Sequence, residues 1–197
     1  EAIYQFSQAL EKDETFLEAH LNIGRAYLEN GMEDKAEEKF KSCMIDDPYN
    51  PYPHLMMAHL YKQKNKPENS INEFVEALKL DPKNIPARMD LAFLYTQMQN
   101  WDYAIGEYKT ILRIDHRFFD ARKQLSCIYL SLKRYNDAVI QLEEIVRLEP
   151  NDVESLQNLA QAYLNLNKWQ RSEKIFQNIL ALDPKNAQAY AGLGKIY

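Results

Sequence analysis

The residues of this chain that could do chemistry are few and scattered. Of the four histidines, His54 and His59 lie five residues apart, a spacing that puts them on different parts of a helix surface. His20 and His54 are 34 residues apart, with no cysteine or carboxylate at a zinc-ligand spacing beside them. Glu37-Glu38 and Asp46-Asp47 are adjacent carboxylates, but adjacent residues do not converge on a common atom, and both pairs read as solvated charge. Gly192-Leu193-Gly194 falls within a helical pattern rather than at a strand-to-helix turn, so it does not form a phosphate loop. The sequence contains no nucleophile elbow, Walker motif, zincin motif or calcium loop. Cys43 and Cys127 form no CxxC and are expected to be free, buried thiols, which favours a reducing, cytoplasmic setting. One charged cluster stands out. Arg113, Arg117, Arg122 and Lys123 lie close in sequence and could meet an acidic partner or an acidic helix of the same chain.

The expectation is therefore a non-enzyme without cofactor or metal. Composition narrows the class further. The 197 residues are 46% hydrophobic and 27% charged, which suits a folded chain rather than a disordered one. The net charge of −5 argues against nucleic acid as a partner. The imbalance lies in the first hundred residues, which carry 11 basic and 17 acidic groups. No apolar run approaches the length of a membrane helix, so direct membrane insertion is not expected. Only 5 Gly and 8 Pro punctuate the chain, and so few turn-formers imply long helices.

The elements themselves repeat. Tyr27, Tyr61, Tyr95, Tyr129, Tyr163 and Tyr197 are each 34 residues apart. The same step links Pro48, Pro82, Pro150 and Pro184, with His116 in the missing place. It also links small residues (Ala2, Ala36, Ser70, Ala104, Ala138, Ser172, and again Gly24, Ala58, Ala92, Ser126, Ala160, Gly194) and large ones (Phe6, Phe40, Phe74, Tyr108, Leu142, Phe176). Within one period, the apolar spacing predicts a helix over 17–30, a break at Asn30-Gly31, a second helix from Glu33 to Asp46 and a stop at Asp47-Pro48. Small residues let two helices approach, and large ones fill the space between them. One pair cannot bury its apolar face alone, so pairs stack.

This 34-residue helix–turn–helix pattern resembles the tetratricopeptide repeat. The resemblance covers the whole chain and implies an all-α, right-handed superhelical solenoid. The expected single array has full units at 17–50, 51–84, 85–118, 119–152 and 153–186, a preceding second helix over 1–16 and a following first helix over 187–197. The family's frequent tryptophan at the fourth position of each unit is replaced here by His20, His54, Arg88, Arg122, Leu156 and Tyr190. The small residue late in the second helix is Ala9, Cys43 and Ala77 but then Ile111, Ile145 and Ile179, from which wider helix spacing is expected in the later units. The last helix is expected to expose Tyr190, Leu193 and Tyr197, as in a fragment of a longer array or a chain that self-associates through its ends.

What the resemblance implies about function is protein or peptide recognition in a concave groove lined by first helices. Its groove positions correspond to Leu21, Asn22 and Arg25 in the first unit and to Tyr52, Leu55, Met56 and His59 in the second. The third contributes Met89, Asp90 and Phe93, the fourth Lys123 and Gln124, and the fifth Gln157, Asn158, Gln161 and Asn165. The second and third units thus offer an aromatic and methionine-rich patch, suited to varied apolar partners. The last units offer amides, suited to the backbone of an extended peptide. The family's clamp for chaperone tails is missing, because Cys127, Gln188 and Gly192 stand where it needs asparagine and basic residues. The expected role is an interaction scaffold or adaptor. The alternatives are a recognition arm of a larger enzyme, such as a glycosyltransferase, and a self-assembling scaffold.

Overall fold

The computed structural model describes residues 17–197. The preceding second helix expected over 1–16, with Ala2, Phe6 and Ala9 of the repeat columns, lies outside the described residues. Among the described residues there are eleven α-helices and no strand. They are α1 (Leu17–Glu29), α2 (Glu33–Asp46), α3 (Pro51–Gln63), α4 (Pro67–Leu80), α5 (Ile85–Gln97), α6 (Trp101–Ile114), α7 (Phe119–Ser131), α8 (Tyr135–Leu148), α9 (Val153–Asn165), α10 (Trp169–Leu182) and α11 (Ala187–Gly194). The chain divides into two compact units, Glu1–Gln97 and Met98–Tyr197. The division falls after α5, inside the third 34-residue period.

The period has a simple anatomy. First helices from α1 to α9 have 13 residues and second helices from α2 to α10 have 14. Three-residue turns join the helices of a pair, and four-residue turns join one pair to the next. In every three-residue turn the middle residue is left-handed: Gly31 (φ 72°), Asn65 (53°), Gln99 (59°), Lys133 (58°) and Asn167 (57°). The residue after it returns its N–H to the carbonyl of the column tyrosine: Met32 to Tyr27 at 2.8 Å, Lys66 to Tyr61 at 2.9 Å, Arg134 to Tyr129 at 2.8 Å and Lys168 to Tyr163 at 2.9 Å. This is a Schellman closure, which satisfies helix-end carbonyls and turns the chain sharply.

The four-residue turns are held differently. Oδ1 of Asp47, Asp81, Asp115 and Asp183 accepts the N–H two residues on, at 3.3, 3.3, 2.9 and 3.1 Å. At Asp115 this bond holds the turn without a proline, so His116 can occupy the proline slot; the 149–152 turn, which begins with Glu149, closes through the Asp152 N–H to the Glu149 carbonyl at 3.2 Å. A second tie comes from the tryptophan-replacement column. Arg88 Nε and Nη2 donate to the Pro82 carbonyl at 3.0 and 2.8 Å, Arg122 Nη2 to that of His116 at 2.7 Å, and Tyr190 Oη to that of Pro184 at 3.3 Å. The departure from the family pattern therefore performs a local task, bracing the turn six residues upstream.

Each unit has its own core. In Glu1–Gln97, Phe40 packs with Ala36, Met57 and Leu60, and Phe74 with Leu55, Ala58, Leu78 and Leu91. In Met98–Tyr197, Phe176 packs with Leu156, Ala160, Ile179 and Ala189. The small column Ala36, Ser70, Ala104, Ala138 and Ser172 is wholly buried. Its serines do more than save space: Ser70 Oγ donates to the Ala58 carbonyl at 2.7 Å and Ser172 Oγ to that of Ala160 at 2.8 Å, joining the two helices of a pair. Ile111, Ile145 and Ile179 are fully buried.

Two expectations need correction. Cys43 is buried, and burial pushes its thiol up to about 11, but Cys127 is exposed because it stands on the surface of α7. The last helix ends at Gly194, and Leu193 is half-buried because it turns back with Ile196 onto the Phe176 cluster, leaving Tyr190 and Tyr197 exposed. The glycine under Phe176 is Gly192, where a Cβ would lie 2.2 Å from the ring, whereas Gly194 has open space around it.

The glycines give a test of the packing. At Gly24, inside α1, a Cβ would lie 2.4 Å from Phe40 Cε1; at Gly106, inside α6, it would meet nothing within 4 Å. Alanine gains about 1 kcal/mol over glycine in a helix, whereas overpacking costs about 1–3 kcal/mol. Gly106→Ala should therefore raise the urea midpoint by an amount equivalent to ~1 kcal/mol, and Gly24→Ala should lower it. Lys133→Gly should also raise it, by ~1 kcal/mol, because a left-handed lysine is strained and a glycine is not.

Candidate functional site

The first helices carry the candidate site. In the first unit, α1 and α3 enclose a cavity of about 550 Å³ lined by Leu21, Asn22 and Arg25 on one side and Tyr52 and Met56 on the other, with Glu18 and Asn50 at its edge. Tyr52 is exposed (60%), and Met56 is half-buried against both cores of the unit. Asn50 caps α3 by accepting the Tyr52 N–H at 3.0 Å, which sets the first turn of α3. The cavity thus combines an apolar wall, two amides and one charge of each sign.

The other expected residues of this unit have different surroundings. Leu55 does not face outward; it is 8% exposed, because its position on α3 turns it into the core with Phe74 and Leu91. His59 meets the Phe74 ring edge-to-face at 5.4 Å, and burial lowers its pKa. Lys62 links α3 to α5: its Nζ lies 2.8 Å from Asp90 Oδ1 and 5.8 Å from the centroid of the Phe93 ring. Phe93 is 43% exposed, and Met89 is half-buried. His54 Nδ1 sits 2.7 Å from Glu73 Oε2 on α4.

In the second unit, α9, α10 and α11 enclose about 430 Å³ lined by Gln157, Asn158, Gln161, Phe176, Gln188 and Lys195. Gln157 Nε2 donates to Asn186 Oδ1 at 3.1 Å, which also accepts the Ala189 N–H and so caps α11. Asn165 Nδ2 donates back to the Gln161 carbonyl at 2.8 Å. Lys123 reaches Asp152 at 3.1 Å and Glu154 at 3.4 Å and stands over the Phe119 ring; burial opposes its charge, but the two carboxylates outweigh that and raise its pKa. Gln124 is exposed on α7.

Sequence reasoning missed Asn50, Gln188 and Lys195 as lining residues. Asn50 carried a signal, since an asparagine before a helix is a capping residue that must lie at the surface. Gln188 and Lys195 carried one too: Gln188 stands at a position the family's clamp uses, and Lys195 lies one 34-residue period after Gln161.

With this geometry in place, the comparisons are decisive for the family. The tetratricopeptide repeat profile matches residues 63–125 and 129–196, and a second profile of the same repeat matches 17–44. The chain belongs to the tetratricopeptide repeat family. It is an all-α helical-repeat protein of the solenoid class, in a family that serves protein–protein interaction and is typically non-catalytic. Among solved structures it is similar to YrrB, a TPR protein with an unusual peptide-binding site, at 13% identity over 96% of this chain and 97% of that one, with a TM-score of 0.75. It is also similar to MamA, at 21% identity over 89% and 95%, with a TM-score of 0.71. A third is a tetratricopeptide repeat protein from Parabacteroides merdae, at 19% identity over 98% and 77%, with a TM-score of 0.64. At these identities the likeness concerns the fold. No curated protein matches the sequence significantly.

His59 supplies a test of the site's electrostatics. Its folded-state pKa lies below the usual 6.5, so its contribution to stability is full above about pH 6.5 and is lost as the pH falls through its folded value. The stability difference between the natural chain and His59→Leu should therefore shift steadily against the natural chain from pH 7.5 to 5.5, read from urea midpoints at each pH.

Proposed function

We propose that this TPR protein is a non-catalytic scaffold that holds an extended segment of a partner protein on the first-helix surface of its first unit. The observation that carries the reading is the cavity between α1 and α3. Five residues from the family's groove positions, Leu21, Asn22, Arg25, Tyr52 and Met56, line a single space of about 550 Å³. That volume lies within the range of built ligand sites. Met56 and Tyr52 give an apolar, adaptable wall for one side chain of the segment. Asn22 can both donate to and accept from its backbone. Glu18 and Arg25, of opposite sign, favour one direction of the chain over the other. Asp90 and Phe93 extend the same surface on α5, held in place by Lys62. The amide-lined cavity of α9–α11 offers a second backbone-binding surface, without a comparable apolar anchor.

The test is to select peptides from a random display library on the natural chain and measure their affinities by fluorescence anisotropy. Selected peptides should share an apolar residue, and Tyr52→Ala/Met56→Ala should weaken them at least ~10-fold. Gln161→Ala/Gln188→Ala should weaken them less, and circular dichroism should show both variants as helical as the natural chain. Peptides that bind the Tyr52/Met56 variant undiminished would place recognition elsewhere on the molecule.

A further inference from the structure

A second kind of site, independent of the groove reading, lies among α6, α7 and α8. These helices enclose about 450 Å³ with an apolar floor and a basic rim. Leu125 is buried and Leu112 half-buried at the floor, while Lys109, Arg113 and Arg122 stand around it beside Gln141. Arg113 Nη2 donates to Thr110 Oγ1 at 2.7 Å. Arg122 Nη1 donates to Gln141 Oε1 at 3.0 Å, and its Nη2 donates to the His116 carbonyl at 2.7 Å. Each of these acceptors is neutral. Among the described residues no carboxylate comes within 4.0 Å of Lys109, Arg113 or Arg122. Arg122 Nε is buried with no acceptor at all. Glu144 lies within the field of Arg122 and His116, but Arg147 holds it at 2.6 Å and is the main cause of its lowered pKa.

The contrast with the next residue is informative. Lys123 has two carboxylates of α9 and the turn before it, whereas Arg122 has none. Three cations therefore converge on one small apolar floor without compensating charge, in a chain whose net charge is −5. Convergent like charges of this kind favour an anionic ligand. Two of the three are arginines, whose planar fork matches a carboxylate.

We propose that this pocket is a docking site for an acidic segment of a partner protein, whose Asp or Glu side chains pair with Lys109, Arg113 and Arg122 while a neighbouring apolar residue covers Leu112 and Leu125. The apolar floor favours a peptide over a bare anion. The short extent of the rim, set in an otherwise acidic chain, favours it over nucleic acid, which needs a longer basic track.

The experiment uses the full chain and a fluorescein-labelled peptide bearing Glu residues on both sides of a central Leu, with a control peptide in which every Glu is Gln. Anisotropy at low salt should show the Glu peptide bound at least ~10-fold more tightly than the control, with the advantage shrinking as salt is raised. Lys109→Gln/Arg113→Gln should reduce affinity for the Glu peptide ~10-fold or more, while Lys79→Gln/Lys83→Gln in the first unit should leave it unchanged. Lys109 and Arg113 are exposed, so the fold should persist, as circular dichroism would show. Equal binding of the two peptides, absence of binding, or an undiminished affinity in the Lys109/Arg113 variant would each overturn the proposal. Displacement of the peptide by a single-stranded oligothymidylate at lower concentration than by unlabelled peptide would reassign the pocket to nucleic acid.

Discussion

Everything in this chain depends on how closely the two helices of a pair can approach. The large residue of each second helix, Phe40 and Phe74 in the first unit and Tyr108, Leu142 and Phe176 in the second, is almost wholly buried. In the first unit Phe40 lies against Gly24 and Phe74 packs with Ala58; in the second, Phe176 packs with Ala160 of its own pair and lies against Gly192 of the next helix. At Gly24 and Gly192 the ring occupies the space a Cβ would need. Burial of such a side chain contributes about 1.5–3 kcal/mol, so the columns supply the stability, and the short turns only have to bring the helices together. Ser70 and Ser172 show how a polar residue can join such a column: the hydroxyl is small, and it donates to a carbonyl of the facing helix.

Because the turns recur at fixed positions, each helix starts at the same point of the period, and this fixes which residues face out. The left-handed residue and its Schellman bond end the first helix. In four of the links between pairs, an aspartate Oδ1 accepts the N–H two residues on and holds the turn. With both ends set, a first helix places its core positions inward and leaves the alternate face to other uses. That face bears the cavity between α1 and α3 and the amide cavity of α9–α11. The basic pocket differs in kind, since α6 and α8, second helices, supply most of its rim.

The surface residues also divide by their engagements. Lys62 with Asp90 and Lys123 with Asp152 bridge successive first helices of one unit. Such exposed pairs contribute little to stability, typically under about 1 kcal/mol, but they fix where neighbouring side chains stand. Phe93 and Phe119 each lie under one of these lysines. Gln157 serves the capping asparagine of α11 and is correspondingly less available to a ligand than Asn158 or Gln161.

The 34-residue period, the helix bounds within it and the identity of the buried columns could all be read from the sequence. They follow from local rules that act along the chain: apolar spacing, small against large, asparagine or glycine at a left-handed turn, aspartate before the next pair. The second helix expected at Glu33 to Asp46 has those bounds in the structure. The same rules misplaced Leu55, which the family pattern assigns to the groove and the core takes in. They also misjudged Leu193, which packs with Ile196 against the Phe176 cluster instead of standing exposed. Nor could they show that Lys123 would find two carboxylates while its neighbour Arg122 found none. Periodicity fixes the angle at which a side chain leaves its helix. Which side chains a neighbouring helix then brings within reach depends on residues about 20–30 positions away, and only the packed tertiary structure sets those distances.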